Sequence, residues 1–177
     1  MNRTIKTGLM LSVILLAGAG AAWAGTAAYG ATAAELAIAQ GKPLAISDML
    51  RWAAEDEYLA RGEYAAIMQR FGAMRPYSNI MASEEQHLSW LRAEYLNRGL
   101  PFPADGSSAY IVIPGDLKAA AQAGVDAEIG NIAMYEAFLA QPELAKSQNA
   151  GVKTLFEQLK RASENHLRAF QTQLSKY

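Results

Sequence analysis

Four stretches of this chain place apolar side chains at helical spacing, and each stripe is interrupted by a carboxylate or an imidazole. The first, over about 48–72, runs Leu50, Ala53, Ala54, Ala60, Tyr64, Ile67, Met68, Phe71, and Glu57 lies seven residues from both Leu50 and Tyr64. The second, about 77–98, carries Ile80, Met81, Leu88, Leu91 and Tyr95. Glu84 and His87 share that face because they are three residues apart. The third, about 115–140, has Leu117, Ala121, Val125, Ile132, Tyr135 and Leu139, with Glu128 seven from Ala121 and Tyr135. The fourth, about 152–174, has Val152, Leu155, Phe156, Leu159, Ala162, Ala169 and Phe170, with His166 seven from Leu159. Helices patterned this way bury their stripes against one another. They are expected to bring several acids and both histidines of the chain into one interior.

The connections set the order of packing. "GAMRP" (72–76) is short, so the second helix should return antiparallel to the first. "GLPFPADGSSAYIVIPG" (99–115) is long, and rich in Pro, Gly and Ser. It reads as a crossover in which "YIVI" is at most a short extended segment without a strand partner. A shorter loop spans about 142–151. Short, long, shorter predicts an all-α, ferritin-like four-helix bundle with one long crossover between helices two and three. Ser47 is the expected N-cap of the first helix, with Asp48 in its first turn.

Ahead of the bundle, "MNRTIKTGLMLSVILLAGAGAAWA" has Arg3 and Lys6, an apolar run and small residues at Ala22 and Ala24. It reads as a signal peptide (1–24) cleaved after Ala24, which implies a periplasmic or secreted protein without a stable membrane anchor after cleavage. Residues 25–46 are Ala/Gly-rich and read as an N-terminal arm with a helical turn in "TAAELAIAQ", leaving 47–177 as the bundle domain. The leader holds two of the 16 basic residues and none of the 17 acidic ones, so 14 face 17 in the remainder. That balance offers no electrostatic footprint for nucleic acid. The absence of cysteine excludes disulfides, iron–sulfur clusters, thiolate metal sites and a lipidated cysteine.

Interior carboxylates are informative because an ionised one in an apolar core costs several kcal/mol even after relaxation. Three together also raise one another's pKa. A cation among them removes both penalties. Oxygen and imidazole donors suit iron, with manganese or zinc as alternatives. Di-iron bundles take one Glu from each of two helices and Glu-x-x-His from each of the other two. Here Glu57, Glu84, His87, Glu128 and His166 fill that pattern except that Ser163 stands where the last Glu would be. Glu-x-x-His is common on helices, a lone buried His is usually satisfied by the core, and Glu57 or Glu128 would then bond Tyr64, Tyr135, Arg61 or Arg75. Glu55, Asp56, Glu85, Glu136 and Glu164 lie beside the stripes and are expected to be solvated, and Met49, Met68, Met74, Met81 and Met134 to be core filler.

Four blocks, "DEYLARGEY" (56–64), "NIMASEEQHLSWL" (79–91), "GVDAEIGNI" (124–132) and "ASENHLRAF" (162–170), together resemble the ferritin-like proteins of domain-of-unknown-function family 2202. The resemblance covers about residues 48–174. It implies a ferritin-like bundle, often exported, with site residues matching Glu57, Glu84, His87, Glu128 and the Asn165–His166 pair. It also implies that serine at position 163 is the pattern's own habit. An acidic residue often follows the third-block Glu by three; here Asn131 stands there. Around the ligands, Tyr64, Asn131, Tyr135, Ser163 and Asn165 are expected as supporting residues.

Two classes of function follow. One is an exported metal-binding bundle, with a di-iron centre acting as an oxidase or ferroxidase toward oxygen or peroxide. The other is a non-enzymatic helical scaffold or stress-related binding module whose interior polar groups bond only each other. A homo-oligomer is compatible with both, whereas a storage cage lacks a decisive exposed apolar face to build on.

Overall fold

The computed structural model describes residues 28–177. The expected signal peptide and its cleavage point, with residues 25–27 of the arm, lie outside the described residues. Those described are all-α, with five α-helices and no strand. These are α1 (Gly30–Ala39), α2 (Ile46–Phe71), α3 (Tyr77–Asn97), α4 (Leu117–Leu139) and α5 (Ala150–Leu174). None is long and apolar enough to cross a membrane.

Helices α2 to α5 sit within a few residues of their expected bounds, because their stripes are long and periodic. Three local expectations are corrected. The arm is more than a helical turn: its residues form α1, which packs on α2 and α4. Ala-rich sequence has little periodicity of its own, so only the docking surface reveals which face is inward; Ala34 is fully buried there. Ser47 is not the cap of α2. The Ala45 carbonyl accepts from the amides of Asp48 and Met49, which starts the helix at Ile46 and leaves Ser47 in its first turn. Finally, Glu55 and Asp56 are not free solvated acids. Glu55 accepts the Gly30 amide at 3.1 Å and Asp56 accepts that of Ala31 at 3.1 Å. Two carboxylates of α2 thus satisfy the open N-terminus of α1 and meet the positive end of its dipole. Glu85 and Glu136 are exposed as expected, and Glu164 is partly so, 3.7 Å from Lys160.

The core has two apolar clusters. One gathers Trp52, Leu91, Tyr135, Phe138, Phe156 and Leu159. The other gathers Tyr64, Ile67, Tyr77, Ile80, Val125 and Phe170. On each long helix the buried Glu or His falls between its contributions to the two clusters, so the polar residues form a layer across the middle. Chain direction follows from the same order. Helices α2 and α5 pass from the first cluster to the second, while α3 and α4 both pass from the second to the first. The connection at 98–116 therefore returns along the bundle, and its hydrogen bonds show where. Pro103 O accepts from Tyr58, Asp105 pairs with Arg61, Glu63 accepts the Val112 amide and Gly115 O accepts from Arg70. Each step along the connection meets a later residue of α2. At Gly62 it passes so close that an added Cβ would lie 2.8 Å from Ile111 Cδ1.

Candidate metal centre

The middle layer brings all five expected ligands together. Glu57, Glu84, His87, Glu128 and His166 are each 8% exposed or less. Their donor atoms form two groups, Glu57–Glu84–His87 and Glu84–Glu128–His166, within each of which one donor atom per residue lies within 4.8 Å of the others. Glu84 belongs to both. Its Oε2 is 2.7 Å from His87 Nδ1, and its Oε1 is 3.3 Å from His166 Nδ1. Glu57 Oε2 completes the first group at 3.0 Å from His87 Nδ1, and Glu128 Oε1 the second at 3.4 Å from His166 Nδ1. The two imidazoles stack with centroids 5.7 Å apart.

Tyrosines support the acids. Tyr135 donates to Glu57 Oε1 at 3.0 Å and Tyr64 to Glu128 Oε1 at 3.3 Å. Both expected tyrosine partners are present, and Arg61 pairs with Asp105 instead. Ser163 is buried near Glu128, where burial raises the carboxyl's pKa and His166, then Ser163, partly offset the rise. One expected supporting residue lies away from the ligands. Asn165 is exposed and its Oδ1 accepts from Arg168, one position from His166 being about 100° around the helix. Asn131 lines a neighbouring cavity, as Tyr64 also does. Two residues went unnoticed. Ser83 Oγ lies 3.1 Å from His87 Nε2, a pairing that their i,i+4 spacing would have flagged. Trp90 packs on the His87 ring with centroids 5.4 Å apart.

Electrostatics in this layer are those of a crowded, desolvated set. Burial, and then the charge of Glu84, drives Glu57 well above the usual carboxylate range. Burial raises Glu128 as well. For Glu84 burial also pushes upward, but hydrogen bonds from His166 and His87 outweigh it and hold this carboxyl low. Burial opposes charge on His87, yet Glu57 and Glu84 raise it to about 10. His166 rises to about 9 in the same way, through Glu128 and Glu84. Three acids face two bases, and protons fill the difference. Among the described residues nothing donates to the buried Glu128 Oε2, a state that costs roughly 1–3 kcal/mol. Neutral imidazoles and ionised carboxylates at these positions are what a divalent metal requires, so a metal would displace those protons.

Compared with known proteins, the chain matches no family model, no curated protein and no solved structure. The reading of the site therefore rests on its own geometry: buried Glu and His groups on four helices that can hold a metal ion.

Proposed function

We propose that this chain is an exported, ferritin-like protein that binds a pair of transition-metal ions, iron foremost, and acts as an oxidase or ferroxidase. The observation that carries the proposal is Glu84, whose two oxygens face two separate histidine–carboxylate groups. A carboxylate so placed would serve as a ligand shared by both groups, as a two-metal site needs. The parallel course of α3 and α4 and the return of the 98–116 segment along α2 support the ferritin-like arrangement. The unpartnered Glu128 Oε2 fits a missing cation, and the mixed oxygen–imidazole donor set favours iron over a thiophilic metal, with manganese or zinc as alternatives. Export rests on the leader at residues 1–24.

Bound iron would supply redox chemistry toward oxygen or peroxide. The chain's own residues position it: Tyr135 orients Glu57, Tyr64 orients Glu128 and Ser83 orients His87. Metal content of the native protein, with and without chelator, and oxidation of Fe(II) in air test the reading. Unchanged metal content in Glu84→Ala and His87→Ala would sink it.

A scaffold without metal has one observation in its favour. His87 already pairs with Glu84 and Glu57 at 2.7 and 3.0 Å, and His166 with Glu84 and Glu128 at 3.3 and 3.4 Å, as a closed ionic network would. It leaves Glu128 Oε2 unexplained, and it requires a melting temperature indifferent to chelator.

A further inference from the structure

We infer that the cavity between α1, α2 and α4 is a binding site for an organic amine with an apolar body. The cavity measures about 620 Å³, within the roughly 300–1,000 Å³ usual for small-molecule sites. Its walls include Ile38, Leu59, Ala60, Met134 and Ala137. Its ionisable lining apart from tyrosine is wholly acidic: Glu35, Asp56, Glu63 and Asp126, with no Lys, Arg or His. Three of these acids sit at positions that water also reaches, but Asp56 is only 7% exposed. Capping of α1 accounts for its Oδ1, which accepts from Ala31.

The lining selects the ligand class. An anion meets four acids. A neutral apolar molecule leaves Asp56, a carboxyl that burial raises to about 7, with nothing to favour its charged form. A hydrated metal ion gains little from walls of Ala, Leu, Ile and Met. An ammonium group placed at Asp56 with its hydrocarbon along those walls satisfies both features, and a charge-assisted hydrogen bond is stronger than a neutral one. Tyr64 lines the cavity and donates to Glu128, so an occupant would lie one side chain from the metal ligands. The amine site stands apart from the metal proposal, because none of the five ligands lines it.

Calorimetry of the full chain with n-octylammonium, n-octanol and octanoate tests this. Octylammonium should bind saturably, on the order of tenfold more tightly than octanol, the factor one charge-assisted bond supplies, and octanoate should not bind. Asp56→Asn keeps an acceptor for Ala31 and should bring amine and alcohol to near-equal affinity. Gly130 lines the cavity and an added Cβ there meets nothing within 4 Å. Gly130→Phe should therefore fill the space and abolish binding of both, with circular dichroism and melting confirming the fold. Glu84→Ala, which removes the metal site, should leave amine binding unchanged, so failure of one proposal is visible apart from the other. Octanol binding as tightly as the amine, an unaltered preference in Asp56→Asn, or undiminished binding in Gly130→Phe would each overturn the inference. So would Mn(II), rather than amine, saturating the cavity of Glu84→Ala and being lost in the double variant with Gly130→Phe.

Discussion

Glu84 Oε1 lies 3.3 Å from His166 Nδ1, which links the centre of α3 to α5 through a carboxylate whose other oxygen is already committed to His87. One residue therefore serves both ligand groups, and the consequences of losing it differ from those of losing any other ligand. Native protein should hold up to two ions per chain by elemental analysis. Glu84→Ala should hold close to none, whereas His166→Ala, which touches one group only, should retain about one.

Stability of the metal-free protein should fall as pH rises. His87 and His166 have folded-state values near 10 and 9 against about 6.5 for a free imidazole. Their favourable contribution is thus complete below about pH 6.5 and disappears as pH climbs through 9 to 10. Raised Glu57 and Glu128 act in the same direction, since the folded state holds their protons more tightly than the unfolded chain does. Glu84 acts oppositely: its stabilisation is present above the ordinary carboxylate value and lost at more acid pH. Melting of chelated protein at pH 7 and pH 9.5 checks the net sign, with the lower temperature expected at the higher pH. A metal should narrow the difference, because its affinity rises as the ligands deprotonate.

Two glycines of α4 should respond in opposite senses to alanine. A Cβ on Gly124 would meet Phe170 ring atoms at 2.6 Å, and that ring is fully buried between Tyr64 and Tyr77. Gly124→Ala is expected to destabilise by about 1–3 kcal/mol through overpacking. Gly130→Ala meets open space and should stabilise by up to about 1 kcal/mol through helix propensity. Urea denaturation of the two variants reads the contrast.

The docking of α1 depends on two side chains of α2. The double variant Glu55→Ala, Asp56→Ala removes both acceptors from the Gly30 and Ala31 amides. Losing such caps costs roughly 0.5–2 kcal/mol each. Hydrogen exchange should accelerate at the first turn of α1 while the amides of α3 and α5 keep their protection. Equal acceleration throughout would show that α1 is integral to the bundle rather than docked upon it.

Sequence periodicity was sufficient to place α2, α3, α4 and α5 and to mark Glu57, Glu84, His87, Glu128 and His166 as inward-facing. A helix repeats its direction every seven residues closely enough that a polar residue seven from apolar neighbours must share their face. It could not show α1, Asp56 or Asn165 correctly. Whether an Ala-rich segment docks, and whether an acid beside a stripe is covered, depends on what another element lays over it.

What the chain's own order of residues determined is the set of helices, the short and long links between them, and the polar character of the middle layer. Tertiary structure alone decided that Glu84 also reaches His166, that Asp56 is covered by α1, and that Tyr64 and Tyr135 reach separate acids. Those relationships join side chains on different helices, and the rotation and height at which helices meet are set by packing of whole surfaces rather than by any local pattern.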